Sequence, residues 1–297
     1  MKPILSGCRI ALIGSNAGLA RQVLQSLVAR NIRPVGVVDD QDPSEFARGT
    51  IPVRVAGSPD SLEQIADRYA VPVVHAPDPA HPMLVETLGA LEADLLLAVC
   101  YPLRLPAAVL RVPKVAAVNL HPSLLPAFRG PQPLFWQARA GLSTVGVTWH
   151  GMDDGLDTGP IWTQASCPLP DGIDFSAANA RLGDLAAELL LAALAAHRDG
   201  GLPPRPQDPH HASYQGVPRA ADFRLSTGWP ARRAFNFVRM AGHWGRRFPV
   251  TVGGRTFAIA EALEFQPAAI LDGPYRIDGE RLALQFSPGV LHARMDH

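Results

Sequence analysis

The stretch RIALIGSNAGLARQVLQSLVARN, residues Arg9 to Asn31, decides the fold class of this chain. Its first six residues form a short apolar run, which is typical of a buried strand. After a Gly-Ser-Asn turn, leucine and valine recur at the spacing of a helix that buries one face. The stretch therefore predicts the first strand and the first helix of an α/β domain.

The same alternation of strand and helix continues along the first half of the chain. Further strands are predicted at Arg33–Asp40 and in VPVVHA, DLLLAVC and KVAAVNLH, with helices in DSLEQIADRYA and MLVETLGALEA. Ser58 and Pro59 predict the N-cap and first turn of the helix in DSLEQIADRYA. Strands that alternate with helices predict an α/β fold with a Rossmann-like, mostly parallel sheet that is covered on both faces.

The composition changes near Asp199, and this change predicts a second domain. Proline and glycine are frequent in DGGLPPRPQDPHH, from Asp199 to His211, which is typical of a linker. Beyond it, alternating apolar residues flank Gly253-Gly254 and Asp278-Gly279, a pattern that predicts β-hairpins. We expect a first domain at residues 1–201, a linker at 202–212 and a smaller β-rich domain at 213–297.

The composition also limits the function. The chain has 297 residues and a formal net charge of +0, so it has no excess of cationic side chains for a nucleic-acid backbone. It contains no run of about 18 apolar residues and no recognisable secretory signal, and we expect a cytoplasmic protein without a membrane partner. Its cysteines, Cys8, Cys100 and Cys167, are far apart, which argues against a disulfide framework and against a zinc site of the CxxC type.

Two polar residues, Asn119 and His121, end the apolar run KVAAVNLH. Ligands of open α/β sheets bind at the carboxyl ends of the strands, and residues two apart in a strand face the same side. The amide and the imidazole are therefore expected to face one pocket, where they would polarise a carbonyl group. An Asn-x-His pair at a strand end also occurs in purely structural roles.

A second stretch, GVTWHGMDDGLDTGPI from Gly146 to Ile161, combines an apolar strand with a glycine-rich loop that holds three aspartates. A carboxylate of this loop could orient His121 and accept a proton. The loop could equally be a solvated turn. A calcium site is not favoured, because the D-x-D-x-D-G order of ligands is not met.

The turn Gly14-Ser15-Asn16 allows two interpretations. Its backbone N–H groups could bind a phosphate, or Ser15 or Asn16 could cap the helix that follows. The full G-x-G-x-x-G pattern of dinucleotide-binding proteins is missing. A dinucleotide-dependent dehydrogenase is nevertheless an alternative on the fold alone, since a fold does not determine a function.

Taken together, the motifs NLHPSLLPAFRG and GVTWHGMDDGLDTGPI resemble those of the formyltransferases that use 10-formyltetrahydrofolate. This family includes methionyl-tRNA formyltransferase, the sugar-nucleotide N-formyltransferases and glycinamide ribonucleotide formyltransferase. The resemblance extends over Arg9–Gly201. The segment AFNFVRMAGHWGRRFPVTVGGRTFAIAEALEF is similar to the start of the OB-like C-terminal domain of the first two groups, so the resemblance implies an OB-like domain here.

The resemblance implies a catalytic trio, Asn119, His121 and Asp157, that stabilises an oxyanion and assists proton transfer without a metal. It implies that the folate donor lies between the loops Cys100–Pro106 and Met152–Asp157. The expected folate-binding residues are Tyr101, Leu103, Leu105, Ser123, Leu124, Asp154 and Gly155. The expected acceptor-binding residues are Ser15, Asn16, Arg129, Gln132 and Trp136.

The acceptor is the least determined part of this prediction. Methionyl-tRNA formyltransferases carry a basic insertion after the second strand, whereas VVDDQDPSEFARGTIPVRV has four acidic residues before Arg48. From Arg205 onward the chain has twelve arginines and no lysine against eight acidic residues, which is a mild positive excess. We expect a small-molecule amine, such as an amino sugar nucleotide or an amino-acid-derived metabolite, with methionyl-tRNA as the alternative. Further alternatives are a 10-formyltetrahydrofolate hydrolase and a non-catalytic folate-binding protein.

Overall fold

The computed structural model describes residues 8–39, 61–76, 78–198 and 204–295. Contacts divide the chain into two compact units, which are built from interleaved segments. The first unit comprises Met1–Arg129, Gly146–Cys167 and Asn179–Tyr214, and the second comprises Gly130–Val145, Pro168–Ala178 and Gln215–His297. Two short segments before residue 201 therefore group with the C-terminal part of the chain.

The strands in the first part of the chain form a seven-stranded sheet. Its strands are β1 (Ile10–Gly14), β2 (Gly36–Asp39), β3 (Val73–His75), β4 (Leu95–Val99), β5 (Ala116–His121), β6 (Thr144–Gly151) and β7 (Ile161–Pro168). They are ordered β3-β2-β1-β4-β5-β6-β7, and the pairs from β3 to β5 are parallel, whereas β5 and β6 are antiparallel. This topology confirms the prediction of a mostly parallel sheet.

The strands at the centre of this sheet are buried on both faces. All residues of β1 and β4 are buried, which explains why these strands are continuous apolar runs rather than alternating ones. At the end of β1, a Cβ atom on Gly14 would lie 2.7 Å from the carbonyl oxygen of Val99. Glycine is required there because the neighbouring strand comes so close.

In the described part of the chain, six helices accompany the strands of the sheet; the first five connect strands, and the sixth follows β7. They are α1 (Gly18–Ala29), α2 (Leu62–Arg68), α3 (Pro82–Ala90), α4 (Ala107–Leu110), α5 (Pro133–Ala140) and α6 (Phe175–Arg198). The N-cap of α2 is Ser61, whose hydroxyl accepts from the backbone of Gln64 while the Gln64 side chain accepts from the backbone of Ser61. The prediction of an N-cap at Ser58 is therefore wrong, and Ser58 itself lies outside the described residues.

The C-terminal part of the second unit is rich in strands, as predicted. Helix α7 (Ala231–Ala241) precedes β8 (Phe248–Val252), β9 (Arg255–Gln266), β10 (Tyr275–Asp278), β11 (Arg281–Gln285) and β12 (Val290–Met295). These strands form an antiparallel sheet in the order β10-β11-β12-β9-β8. Gly253 and Gly254 form the tight turn between β8 and β9 with φ values of 55° and 79°, which confirms the first predicted hairpin.

An aromatic core stabilises the second unit. Phe237 of α7 is fully buried, and its ring lies 5.2 Å from that of Phe135 and 5.6 Å from that of Phe248. Phe223 lies against Phe135 on another side, at 5.1 Å. Edge-to-face and tilted contacts of this kind add to the free energy gained by burial.

Part of the segment predicted to be a linker has a defined place in the first unit. The backbones of Arg205 and Ile161 exchange two hydrogen bonds, of 2.9 and 2.8 Å, and Pro209–His211 form a short 3-10 turn. Residues 199–203 lie outside the described part of the chain. Among the helices that the structure describes, none combines the length and the apolar character needed to cross a bilayer.

Candidate active site

The pairing of β5 with β6 builds the centre of the candidate site. Antiparallel register places Asn119 opposite His150 and His121 opposite Thr148. Asn119 and His121 lie at the carboxyl end of β5, as the end of the apolar run predicts. Because they are two residues apart in a strand, their side chains face the same side. The neighbouring parallel strands end at the same edge of the sheet, which is where α/β proteins bind ligands.

The imidazole of His121 is held in one orientation. Its side chain is almost completely buried, and Nε2 lies 2.8 Å from the carbonyl oxygen of Phe128. Because a carbonyl can only accept, Nε2 carries a proton and donates it to this bond. The other ring nitrogen, Nδ1, faces Oδ1 of Asp157 at 3.6 Å.

The carboxylate of Asp157 lies between two imidazole rings. Oδ1 of Asp157 is 3.6 Å from Nδ1 of His121 and 3.6 Å from Nε2 of His150, and the Asp157 side chain is only 10% exposed. The structure therefore brings together the three residues of the predicted trio.

The loop that carries Asp157 is held by local hydrogen bonds. Oδ1 of Asp153 accepts from the backbone of Gly155 at 3.0 Å and from the hydroxyl of Thr158 at 2.8 Å. A Cβ atom on Gly159 would collide with the carbonyl oxygen of Gly151, so the loop needs glycine to return to the sheet. Asp153 thus has a structural role, whereas Asp157 points toward the histidines.

His150 is a site residue that the sequence analysis did not assign. Nδ1 of His150 lies 2.8 Å from the carbonyl oxygen of Gly151, so this nitrogen carries the proton. Nε2 of His150 is then free to accept from Nδ2 of Asn119, at 3.1 Å. This bond fixes the Asn119 amide with its nitrogen toward His150, and the second N–H of that amide can serve another acceptor.

Burial lowers the pKa of His121 below the ordinary histidine value. The charge of Asp157 and the bond to the Phe128 carbonyl oppose this shift, and the charge of Arg129 and the proximity of the His150 ring add to it. The neutral imidazole is therefore favoured at neutral pH in the free protein.

Three leucines on or near the predicted folate loops are exposed. Leu103, Leu124 and Leu156 are 45%, 40% and 58% exposed. The guanidinium of Arg104 connects the two predicted folate loops, since Nη2 lies 3.7 Å from Oδ1 of Asp154 and also donates to the Asp154 carbonyl. Exposed apolar surface on both loops fits a flat, aromatic ligand such as a pterin.

The other predicted folate-binding residues differ in how far their side chains are exposed. Leu105 and Ser123 are buried, and the Ser123 hydroxyl donates to the carbonyl of Ala127 at 2.7 Å. Tyr101 is half-buried against the core of the first unit, whereas Gly155 is exposed on its loop. Leu105 and Ser123 therefore shape the loops rather than present side chains to solvent.

Ser15 and Asn16, which were expected to bind the acceptor, contact the fold itself. The Ser15 hydroxyl donates to the carbonyl of Cys100 at 2.7 Å, and Oδ1 of Asn16 accepts from the backbone of Leu62 at 3.0 Å. The N-cap of α1 is Ala17, without a side-chain capping bond, so the capping interpretation of Ser15 and Asn16 is wrong.

The remaining predicted acceptor-binding residues are divided between the units. Arg129 belongs to the first unit, where its guanidinium donates to Gln207. Gln132 and Trp136 belong to the second unit, and the indole of Trp136 donates to the carbonyl of Gly216 at 2.8 Å. Residues 8–39, 61–76, 78–198 and 204–295 contain no group of three or more His, Cys, Asp or Glu side chains that could hold a metal ion.

Comparisons with known proteins agree with the motifs. The family described as "Formyl transferase" matches residues 9–194. The methionyl-tRNA formyltransferase of Pelobacter propionicus is 31% identical over 250 residues, covering 84% of this chain and 74% of that protein. The methionyl-tRNA formyltransferase of a Synechococcus strain is 40% identical over 159 residues, covering 53% of this chain and 49% of that protein.

A solved structure has a similar fold. The N-formyltransferase of Helicobacter canadensis, crystallised with folinic acid and dTDP-3-aminofucose, superposes with a TM-score of 0.63. It covers 98% of this chain and 100% of its own, at 14% sequence identity. At this identity, the likeness shows a shared fold.

Proposed function

Because the chain belongs to the formyl transferase family, we propose that its site transfers the formyl group of 10-formyltetrahydrofolate to a primary amine through Asn119, His121 and Asp157. The observation that carries this proposal is the position of the Asp157 carboxylate, 3.6 Å from Nδ1 of His121. The Asn119 amide lies on the same strand, at the edge of the sheet where ligands bind.

The arrangement assigns a separate role to each member of the trio. The neutral amine of the acceptor attacks the formyl carbon, and the free N–H of Asn119 donates to the oxyanion that develops. A donor of this kind contributes about 3 to 4 kcal/mol to stabilisation of the transition state. Nδ1 of His121 accepts the amine proton, directly or through a water, and the charge of Asp157 stabilises the imidazolium that forms.

The reaction is completed when the same proton leaves His121. The C–N bond to the acceptor forms, the bond from the formyl carbon to N10 of the folate breaks, and the proton passes to N10. Atoms and charges balance without a metal or a covalent intermediate. Exposed Leu103 and Leu156 support the pterin site, because they offer apolar surface on the two loops that we expect to hold the pterin.

Methionyl-tRNA is the acceptor that the relatives support best. The methionyl-tRNA formyltransferase of Pelobacter propionicus aligns over 84% of this chain, which includes most of both units. We therefore place the α-amino group of methionyl-tRNA first among the acceptors. Arginines of the second unit would then have to contribute contacts to the phosphate backbone.

A small-molecule amine is the second candidate, and the contacts of those arginines favour it. The guanidinium of Arg233 stacks on Trp229 at 4.1 Å and donates to the carbonyl of Arg139. Arg232 pairs with Asp171 at 2.7 Å, and Arg294 pairs with Glu261. Arginines that bind partners within the protein contribute less to binding a phosphate backbone. The sequence that follows β2 is acidic rather than basic, which also favours a small-molecule acceptor over tRNA. Most of this segment lies outside the described residues.

The experiment that tests the proposal is a spectrophotometric assay of 10-formyltetrahydrofolate conversion against a panel of amines. The panel holds methionyl-tRNA, amino sugar nucleotides and ornithine-type amino acids. N-acetyl-methionyl-tRNA is the matched control, since it keeps every RNA contact and lacks the amine. Conversion that requires methionyl-tRNA and fails with the acetylated form supports the first candidate, and conversion that requires a small amine supports the second.

The salt dependence of the KM for the acceptor distinguishes tRNA from a small amine independently. If the acceptor is tRNA, its KM should rise steeply between about 50 and 200 mM salt, because each phosphate contact releases counterions. A small acceptor should show a nearly flat dependence. Absence of conversion with every acceptor would contradict the proposed reaction.

A further inference from the structure

Gln207 lies in the segment that its composition marks as a linker, yet its side chain contacts two loops of the candidate site. Nε2 of Gln207 donates to the carbonyl oxygens of Asp157, at 2.8 Å, and Gly159, at 2.7 Å. Oε1 of Gln207 accepts from Nε and Nη2 of Arg129, at 3.1 and 2.7 Å. One side chain thus joins the loop that carries the trio's carboxylate to the loop that follows His121.

The orientation of the Gln207 amide follows from its partners. A guanidinium can only donate and a backbone carbonyl can only accept, so the amide nitrogen must face the carbonyls. Both N–H groups and the oxygen of the amide are used. A glutamate would place an acceptor against two carbonyl oxygens, and a leucine would fill a similar volume without polar contacts.

The backbone conformation of Asp157 explains why this support matters. Asp157 has a φ of 56°, a left-handed conformation that residues with a Cβ rarely adopt and that persists only where the surroundings hold it. Gln207 binds the carbonyl of Asp157 itself. Since the backbone determines where the side chain points, this hydrogen bond also helps to fix the position of the carboxylate.

The segment that contains Gln207 also contacts the loop that follows His121, through Ser213. Phe128 also has a left-handed backbone, with a φ of 59°, and its carbonyl is the partner of Nε2 of His121. The hydroxyl of Ser213 accepts from the Phe128 backbone at 2.8 Å, and the Ser213 carbonyl accepts from the backbone of Arg129 at 2.9 Å. The segment that includes Gln207 and Ser213 therefore contacts both loops that face His121.

We propose that Gln207 is a positioning residue for formyl transfer, which holds the backbone of Asp157 so that its carboxylate stays beside His121. This inference rests on the proposed function, because it requires Asp157 to act in the reaction. Gln207 accordingly helps to position a catalytic side chain, although it lies in a segment whose composition is that of a linker.

The proposal predicts an effect that a merely structural role would not produce. The charged and titratable groups that face His121 are Asp157, His150 and Arg129, and among them only Asp157 raises the pKa of His121. If Gln207→Leu lets the carboxylate move away, the pKa of His121 should fall further below its ordinary value. Loss of stability alone would leave this pKa unchanged in the folded protein.

The test compares Gln207→Leu, Gln207→Glu and Asp208→Asn in the full chain. Asp208 is the matched control, since it is exposed, adjacent in sequence and caps the 3-10 turn at His210 rather than contacting the site. The pKa of His121 is measured by NMR on protein with labelled histidine, without an acceptor. Turnover of 10-formyltetrahydrofolate is measured with methionyl-tRNA and with the small amines.

Both Gln207 variants should lose at least tenfold in kcat, and the His121 pKa should fall in Gln207→Leu, whereas Asp208→Asn should match the wild type. A kcat within threefold of wild type in both Gln207 variants, an unchanged His121 pKa in Gln207→Leu, or an equal loss in Asp208→Asn would overturn the proposal. Asp157→Asn is measured alongside. If it retains full activity, the proposed function fails together with the inference; if only the Gln207 variants retain activity, the inference fails alone.

Discussion

Replacing Asp157 with asparagine removes a charge and keeps the shape of the side chain. In the proposed mechanism, His121 becomes positive in the transition state, with its Nδ1 atom 3.6 Å from Oδ1 of Asp157. Coulomb's law with an effective dielectric constant of about 20 gives an attraction of about 4 to 5 kcal/mol at this distance. Since about 1.4 kcal/mol corresponds to a factor of ten in rate, Asp157→Asn should lower kcat by about three orders of magnitude.

This loss should appear in kcat rather than in binding. Single-turnover measurements of 10-formyltetrahydrofolate conversion at saturating acceptor separate the chemical step from substrate affinity. Glu188→Gln is the charge-matched control, because Glu188 pairs with Arg30 and its side chain is 62% exposed. Circular dichroism should show the same fold in both variants. A kcat for Asp157→Asn within tenfold of wild type would refute the assigned role.

Further predictions concern the site and the stability of the chain. Asn119→Ala should lower kcat by about a hundredfold to a thousandfold in the same assay, as expected for loss of an oxyanion donor, and a loss below fivefold would contradict that role. His150→Leu leaves the Asn119 amide without its acceptor and should lower kcat at least tenfold in protein that circular dichroism shows to be folded; normal turnover would show that the amide needs no such partner. Burial lowers the folded-state pKa of both His121 and His243, so the unfolded chain binds protons more readily than the folded protein. The free energy of unfolding should therefore decrease as the pH falls below about 6.5. An unfolding free energy from urea denaturation that does not change between about pH 7 and 5.5 would argue against this. Phe237→Ala should cost about 3 to 5 kcal/mol in urea denaturation, since the ring is fully buried among other aromatics, and a cost below 1 kcal/mol would contradict the packing.

The alternation of strands and helices was sufficient to predict the sheet and the edge at which Asn119 and His121 lie. Asn119 and His121 lie at the carboxyl end of β5, where the apolar run ends in the sequence. Their position could be predicted because the alternation of side chains along a strand depends only on neighbouring residues. The N-cap of α2 shows a local signal that was misread. Ser61 and Gln64 have the spacing of a capping box, which distinguishes Ser61 from Ser58.

The residues that sequence analysis missed depend on contacts between distant segments. His150 faces Asn119 only because of the register of β5 and β6, and a one-residue shift would turn it to the other face. Gln207 lies among prolines, where the composition indicates a linker, and its hydrogen bonds to Asp157 and Arg129 span about fifty and eighty residues of chain. The lowered pKa of His121 likewise follows from burial, which no short motif encodes.

In the proposed reaction, the site transfers a formyl group to an amine rather than releasing it to water. Transfer and release are distinguished by supplying 10-formyltetrahydrofolate with a ¹³C-labelled formyl group and following the label by mass spectrometry in the presence of methionyl-tRNA and the small amines. We expect the label on the amine of one acceptor and loss of this transfer in Asp157→Asn. Label recovered only as free formate, at the same rate with and without acceptor, would rule out transfer to an amine and identify a hydrolase.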